Sequence, residues 1–251
     1  MAGNTGTPGA TVTGRVMAVL GAFDERHRRL SLSDVARRAG LPPPTAHRLA
    51  GELVRHGALA RVGGDYVIGR RLWDIGLLAP VRSTLREAAA PFLHDLYAAT
   101  LATVHLAVRD RDDVLYLDRL SGRASVPVVS NVGSTLPMHA TGVGKVLLAH
   151  APERVRRRVL GALTPVTPHT ITRPAVLSAQ LDRVRRDGYA TTEEEMTLGA
   201  CSVAVPVRDR DEVVAAVGVV VRSLRRDRGR LTAALQVAAQ GISRQLGMSA
   251  R

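Results

Sequence analysis

The sequence predicts an α+β protein in two parts: a winged helix-turn-helix, then a linker helix leading into a larger mixed α/β domain. Three observations predict it. Two short helical patterns meet across Gly40, a glycine-centred hairpin signal follows the second of them, and beyond residue 100 strand-like runs alternate with helical ones. A chain of 251 residues allows one large domain or two smaller ones, each with a full core. With 45% apolar and 23% charged residues the composition is globular, which excludes a disordered or low-complexity scaffold.

The first 12 residues are small and polar with no apolar stretch, so they are expected to form a disordered leader rather than a secretion signal. Over residues 13–24, Val16, Leu20 and Phe23 recur at helical spacing and predict a first helix. Ser31-Leu32-Ser33-Asp34 reads as a capping box, in which the Ser31 hydroxyl and the Asp34 carboxylate satisfy free N–H groups at a helix start. That helix carries Val35, Ala36 and Ala39 and stops at Gly40, which takes positive φ without steric cost. Leu41-Pro42-Pro43-Pro44 opens the next helix, where proline has no useful N–H to lose. Along residues 44–56, Ala46, Leu49, Ala50 and Leu53 fall on one side, and Pro44, Arg48 and Arg55 on the other, flanked by Thr45 and His47. Gly57 closes the helix, and Leu59-Ala60-Arg61-Val62 with Tyr66-Val67-Ile68 around Gly63-Gly64-Asp65 predicts a hairpin wing.

Residues 70–100 are helical again through Leu72, Ile75, Leu78, Leu85, Phe92 and Leu96, with interruptions expected at Pro80 and Pro91. Strands are expected at 103–108, 114–120 and 126–129, helices at 141–150, 153–160 and 175–187, strands at 202–207 and 213–221, and a last helix at 231–246. The nearly continuous apolar run 213–221 suits a strand covered on both faces. The expected domains are therefore residues 1–12 as leader, 13–69 as winged helix-turn-helix, 70–82 as linker helix and 83–251 as the second domain. No repeat of fixed period occurs.

The net charge of +13 is compatible with a polyanionic partner, but it is spread evenly, with +5 over residues 1–80 and +8 over the rest. Of the 35 basic residues only Lys145 is a lysine. The more specific signal is the exposed row on the third helix. A recognition helix must present forked or short side chains to base edges, and arginine bonds bidentately to guanine. Arg48 is the leading base-reading candidate, with Pro44, Thr45, His47 and Arg55 beside it. Arg61 in the wing, with Arg70 and Arg71, is better placed for phosphates. The alternative is an ordinary three-helix packing unit with solvated arginines.

Gly142-Val143-Gly144-Lys145 fails as a phosphate loop, which would need glycine at the His139 position and Ser or Thr at Val146, and it fails the dinucleotide fingerprint as well. What remains is a helix capped by Thr141, whose free N–H groups around Gly142 and Val143 can meet a carboxylate or carbonyl oxygen. A capped structural helix is the plainer alternative. Glu193-Glu194-Glu195 reads as a solvated edge, because neighbours on a strand point to opposite faces. Cys201 has no neighbouring base and reads as structural; as the sole cysteine it excludes internal disulfides and paired-cysteine zinc sites and suits a reducing cytoplasm. Trp73 is expected to pack on the apolar face of the linker. No apolar run of about 18 residues occurs, so no membrane partner is expected, and no cofactor or metal is implied.

The segments Leu41-Pro42, Thr45-Ala46-His47-Arg48-Leu49, Ile68-Gly69-Arg70-Arg71-Leu72, Val104-His105-Leu106-Ala107, Val132 through Lys145, Thr170-Ile171-Thr172 and Gly188-Tyr189-Ala190 together resemble the IclR-type family of bacterial transcription regulators. The resemblance spans nearly the whole chain. It implies an N-terminal winged helix that binds double-stranded operator DNA and a C-terminal, GAF-like effector-binding domain. It also implies assembly as a homodimer or homotetramer and control by a small organic effector. The effector would sit between the sheet and the segment 136–144, against Met138, Thr141, Gly142 and Val143. Where relatives that bind small keto acids carry an aspartate, a cysteine and two serines, this chain has Thr192, Ser202, Gly218 and Val220. Fewer donors imply a larger, less acidic or aromatic effector rather than glyoxylate or pyruvate. The rival from another class is a small-organic-acid enzyme with a basic N-terminal appendage, for which His105, His139 and Glu193 are too dispersed to argue a site.

Overall fold

The computed structural model describes residues 11–24, 27–77, 83–123 and 125–249. They fall into two compact units divided between residues 81 and 82.

In the first unit, α1 (Val12–Leu20) begins where the Thr11 hydroxyl accepts the Gly14 N–H at 3.0 Å. Thr11 and Val12, assigned above to the leader, thus belong to the helix start, and Gly21 ends the helix earlier than the apolar spacing suggested. Strand β1 (Arg29–Leu30) precedes α2 (Leu32–Ala39), which is capped by Ser31 at one end and by Gly40 at φ 64° at the other. Helix α3 (Pro43–Arg55) packs Ala46, Leu49 and Ala50 inward. Strands β2 (Leu59–Val62) and β3 (Asp65–Ile68) form the wing, and β1 joins them in the order β1-β3-β2. The two-residue turn has Gly63 at φ 55° and Gly64 at φ 91°, the left-handed pair that matches strand twist in a tight hairpin. Arg29 fastens the turn, donating to Asp65 at 2.9 Å and to the Val62 carbonyl at 2.5 Å. A short core of Val19, Leu30, Val35, Leu49, Leu59 and Tyr66 holds these pieces together. Helix α4 (Arg70–Leu77) follows. Here Trp73 is 60% exposed rather than packed, because no described part of this unit lies over that side of α4. The rest of the expected linker, residues 78–82 with Pro80, lies outside the described residues.

The second unit is built on a six-stranded antiparallel sheet. Its strands are β4 (Thr103–Asp110), β5 (Asp113–Leu120), β6 (Thr135–Pro137), β7 (Ala190–Glu193), β8 (Cys201–Asp209) and β9 (Glu212–Val221), in the order β6-β5-β4-β9-β8-β7. One face is a wall of branched side chains, Val104, Leu106, Val108, Val203, Val205, Val207, Val217 and Val219, covered by α5 (Ser83–Thr100) and α9 (Arg228–Ser249). Each such side chain contributes roughly 1.5 to 3 kcal/mol by leaving water, so this face anchors the unit. Pro91 does not interrupt α5. The helix instead keeps its register by burying Leu85, Ala89, Leu93 and Leu96 on that wall, which offsets one missing N–H.

The other face carries small residues. Ala190, Ala204 and Gly218 stand side by side across β7, β8 and β9, followed by His105 on β4. Their small size makes a depression that receives α6 (Gly142–Ala149), with α7 (Glu153–Leu160) and α8 (Pro174–Asp187) outside it. A Cβ on Gly218 would stand 3.0 Å from Val143 and 3.1 Å from Ala204, so glycine is what lets α6 approach. The expected strand at 126–129 is absent; Pro127 there has no N–H to give a neighbour, and the segment runs as a loop. Strands β1 and β6, only two and three residues long, were not anticipated, and of β7 only the strand character of Glu193 was.

Candidate functional site

The first candidate surface is the outer side of α3. Pro44, His47, Arg48 and Arg55 are exposed along it and Thr45 is half-buried, while Ala46, Leu49 and Ala50 are buried on the other side, where the helix packs on α1 and α2. The alternation follows from 3.6 residues per turn, since the side fixed by Ala46, Leu49 and Ala50 turns Arg48 outward. The Arg48 and His47 side chains make no hydrogen bond or ion pair among the described residues, so both are free to meet a ligand. Arg55 differs: its guanidinium holds Glu52 at 2.8 Å, which cancels much of its charge locally. In the wing Arg61 is exposed, with its guanidinium 5.2 Å from the centre of the Tyr66 ring.

The second is a pocket of about 390 Å³ on the small-residue face of the sheet, part of it open to solvent. Of the eight residues expected there, Thr141, Thr192, Ser202 and Val220 line it. Thr192, Ser202 and Val220 face it as cross-strand neighbours of β7, β8 and β9, with the Thr192 and Ser202 hydroxyls 2.6 Å apart. Met138, Gly142, Val143 and Gly218 form the packed layer behind. Met138 and Val143 are buried in the helix-side core, and a Cβ on Gly142 would meet Ser202 Oγ at 2.5 Å. Thr141 caps α6, accepting the Gly144 N–H at 3.1 Å. The N–H groups of Gly142 and Val143, in the first turn, have no carbonyl of their own helix to meet.

Leu136, the start of the segment expected against the effector, also lines the pocket, on its opposite wall, but sequence reasoning missed the rest of that wall: His105, Tyr116, Val128, Val129 and Ser130, with Met196, Thr197 and Ala200 at one side. His105 lies on β4 facing the pocket, 2.8 Å from Ser130 Oγ and 4.9 Å from Tyr116, edge to face. Burial, helped by the charge of Arg119, lowers its pKa to about 3, so the imidazole is neutral. Burial likewise pushes the Tyr116 phenol up, against the pull of a hydrogen bond with Thr141. Its alternation with Val104 and Leu106 was the signal that could have placed His105 on this face. No lining side chain carries a fixed charge, so an acidic group entering here would rely on hydroxyls and the start of α6.

Glu195 is not a solvated edge residue. It lies past the end of β7, buried, and accepts from Lys145 Nζ at 2.6 Å. The strand alternation used above does not extend to it, because Glu194 adopts φ 56° and turns the chain. Cys201 packs toward the opposite face, its thiol raised by burial and by the charges of Glu193 and Glu194. His105, His139 and Glu193 are not brought together: His139 Nε2 is bound to the Thr164 carbonyl at 2.9 Å, and Glu193 is exposed. Among the described residues no group of three or more His, Cys, Asp or Glu could hold a metal, and no helix is long and apolar enough to cross a membrane.

Two family models match the chain, the IclR helix-turn-helix domain over residues 12–63 and the bacterial transcriptional regulator IclR C-terminal domain over residues 79–244. The chain is 31% identical over 244 residues to the HTH-type transcriptional regulator XynR of Escherichia coli (strain K12), covering 94% of this chain and 97% of that protein. It is 32% identical over 241 residues to the glycerol operon regulatory protein of Streptomyces coelicolor, covering 93% and 95%. Among solved structures, an IclR homologue from Microbacterium hydrocarbonoxydans complexed with 4-hydroxybenzoate superposes with a TM-score of 0.89 at 35% identity, over 94% of this chain and 99% of the other. The exposed recognition helix and wing, the sheet-face pocket and these matches lead to one conclusion: the chain belongs to the IclR family of bacterial transcriptional regulators, with an N-terminal helix-turn-helix domain that binds DNA and a C-terminal effector-binding domain.

Proposed function

We propose that the protein reads an operator through the outer row of α3, with Arg48 on a base edge and His47, Thr45 and Pro44 beside it, while Arg61 holds phosphate. Arg55, tied to Glu52, contributes less. The observation that carries this reading is the unpaired, exposed Arg48 on a helix whose other side is locked into the core. Residues 13–69 form the DNA-binding unit, 70–82 the linker and 83–251 the effector domain. One such unit buries only roughly 600 to 1,000 Å² on DNA, so specific binding requires at least two and the working form is a dimer or tetramer.

The effector occupies the sheet-face pocket against Thr141, Thr192, Ser202 and Val220. An aromatic or weakly acidic compound suits it, because hydroxyls, a neutral imidazole and the α6 start supply hydrogen bonds without a fixed positive charge. The complex of a 35% identical homologue with 4-hydroxybenzoate supports an aromatic acid of that kind. Effector binding shifts the orientation of the DNA-binding units only as far as its affinity differs between their arrangements. The protein acts in the cytoplasm and regulates rather than catalyses, in keeping with relatives named as regulators. The test is to titrate an operator complex with 4-hydroxybenzoate and, separately, pyruvate. A change in operator affinity with the aromatic acid alone is expected; a response to pyruvate alone overturns the effector class, and turnover of either compound overturns the regulator reading.

A further inference from the structure

At the β7 edge of the sheet, and sharing no lining residue with the sheet-face pocket, a second pocket of about 560 Å³ is lined by Lys145, Gln180, Arg183, Asp187, Tyr189 and Arg228, among others. Its inner wall is unusual for this chain. The only lysine among 35 basic residues is 1% exposed there, although an ammonium is costly to remove from water. Lys145 Nζ donates to Glu195 at 2.6 Å and to Gln180 at 2.8 Å. An ammonium has three donors, and the third meets no acceptor among the described residues. At the rim, Arg183 from α8 and Arg228 at the start of α9 are exposed and make no side-chain ion pair among the described residues. Asp187 is the only acid in the lining. Three cations thus converge from three helices, and Glu195, outside the lining, balances only one of them.

We propose that this pocket is a second ligand site, distinct from the effector pocket, which takes a small molecule bearing a phosphate or carboxylate group. The group's oxygens are held by the Arg183 and Arg228 guanidinia, and one of them accepts the unused Lys145 proton. Asp187 favours ligands that also carry a hydroxyl or amino donor. Charge-assisted hydrogen bonds of this kind are about twice as strong as neutral ones, which makes weak but specific binding attainable in a pocket open to water.

The test uses the full-length protein at constant ionic strength, with inorganic phosphate and succinate as separate probes, followed by calorimetry and, for phosphate, by phosphorus NMR line broadening. Expected is saturable binding of at least one probe at one site per chain, weakened roughly tenfold or more in the Arg183→Ala, Arg228→Ala double variant. Both side chains are exposed, so that variant should fold. The double variant Arg48→Ala, Arg61→Ala controls for phosphate bound on the DNA-facing surface and should leave the affinity unchanged. Saturation by phosphate alone or by succinate alone identifies which oxyanion the site prefers. Absence of saturable binding by both, equal binding to the Arg183→Ala, Arg228→Ala protein, or loss of binding in the Arg48→Ala, Arg61→Ala protein overturns the proposal. None of these outcomes depends on what occupies the effector pocket.

Discussion

Lys145 Nζ lies 2.6 Å from Glu195 Oε1, with both side chains buried, and this ion pair ties α6 to the loop that supplies one wall of the sheet-face pocket. Burial pushes the lysine down and the glutamate up, and each one's charge pulls the other back. The same loop is held from below by the Thr167 and Thr170 hydroxyls, which donate to the Glu194 and Glu195 carbonyls, each at 2.7 Å.

Removing one partner leaves the other charge buried alone. Glu195→Leu is therefore expected to cost roughly 3 to 5 kcal/mol in denaturant unfolding, and the double variant Lys145→Met, Glu195→Leu to recover most of it. Equal stability of the single and double variants would show that the pair is not coupled.

At the helix start, glycine is required twice, for different reasons. A Cβ on Gly144 would fall on the Met138 carbonyl and the Thr141 hydroxyl, and backbone cannot move aside cheaply. Gly144→Ala is expected to lower stability by about 1 to 3 kcal/mol. A Cβ on Gly142 meets only the tip of Ser202, so Gly142→Ala should cost less but disturb the Ser202 to Thr192 hydrogen bond. Thermal unfolding of the two variants side by side checks the order.

Much of this was legible in the sequence. Ser31, Gly40 and the Gly63-Gly64 turn announced the helix-turn-helix and wing, because caps and left-handed turns are local and need no tertiary partner. The small-residue row of the sheet was not legible, since Ala190, Ala204, Gly218 and His105 become neighbours only through strand pairing across long separations. For the same reason the sequence did not separate Thr141, Thr192, Ser202 and Val220, which line the pocket, from Met138, Gly142, Val143 and Gly218, which pack behind it, and the His105 wall was missed. Glu195 was misplaced because alternation was extended past a residue with positive φ.

His105 is neutral in the folded protein, with a pKa of about 3, whereas an unfolded histidine titrates near 6.5. The unfolded state therefore binds the extra proton between these values, and the stability it contributes is complete above pH 6.5 and lost as pH falls toward 3. The slope from this one proton is up to about 1.4 kcal/mol per pH unit. His105→Gln should flatten the fall in denaturation midpoint between pH 6.5 and 4; an unchanged slope would mean that this imidazole is not buried neutral.

On DNA the two arginines should behave differently. Arg48→Ala is expected to cost about 1 to 3 kcal/mol and relax preference at one base pair, whereas Arg61→Ala should weaken all duplexes alike and reduce the salt dependence by about one counterion. Competition binding with single-base operator variants at several salt concentrations separates the two effects.

The most direct measurement is selection of genomic fragments by the purified full-length protein at fixed salt, repeated with Arg48→Ala. Recovery of one shared sequence by the natural protein, with preference lost at a single position in the variant, is the predicted result. Equal recovery of all duplexes, or identical preferences for both proteins, would contradict the assignment of α3 as the base-reading helix.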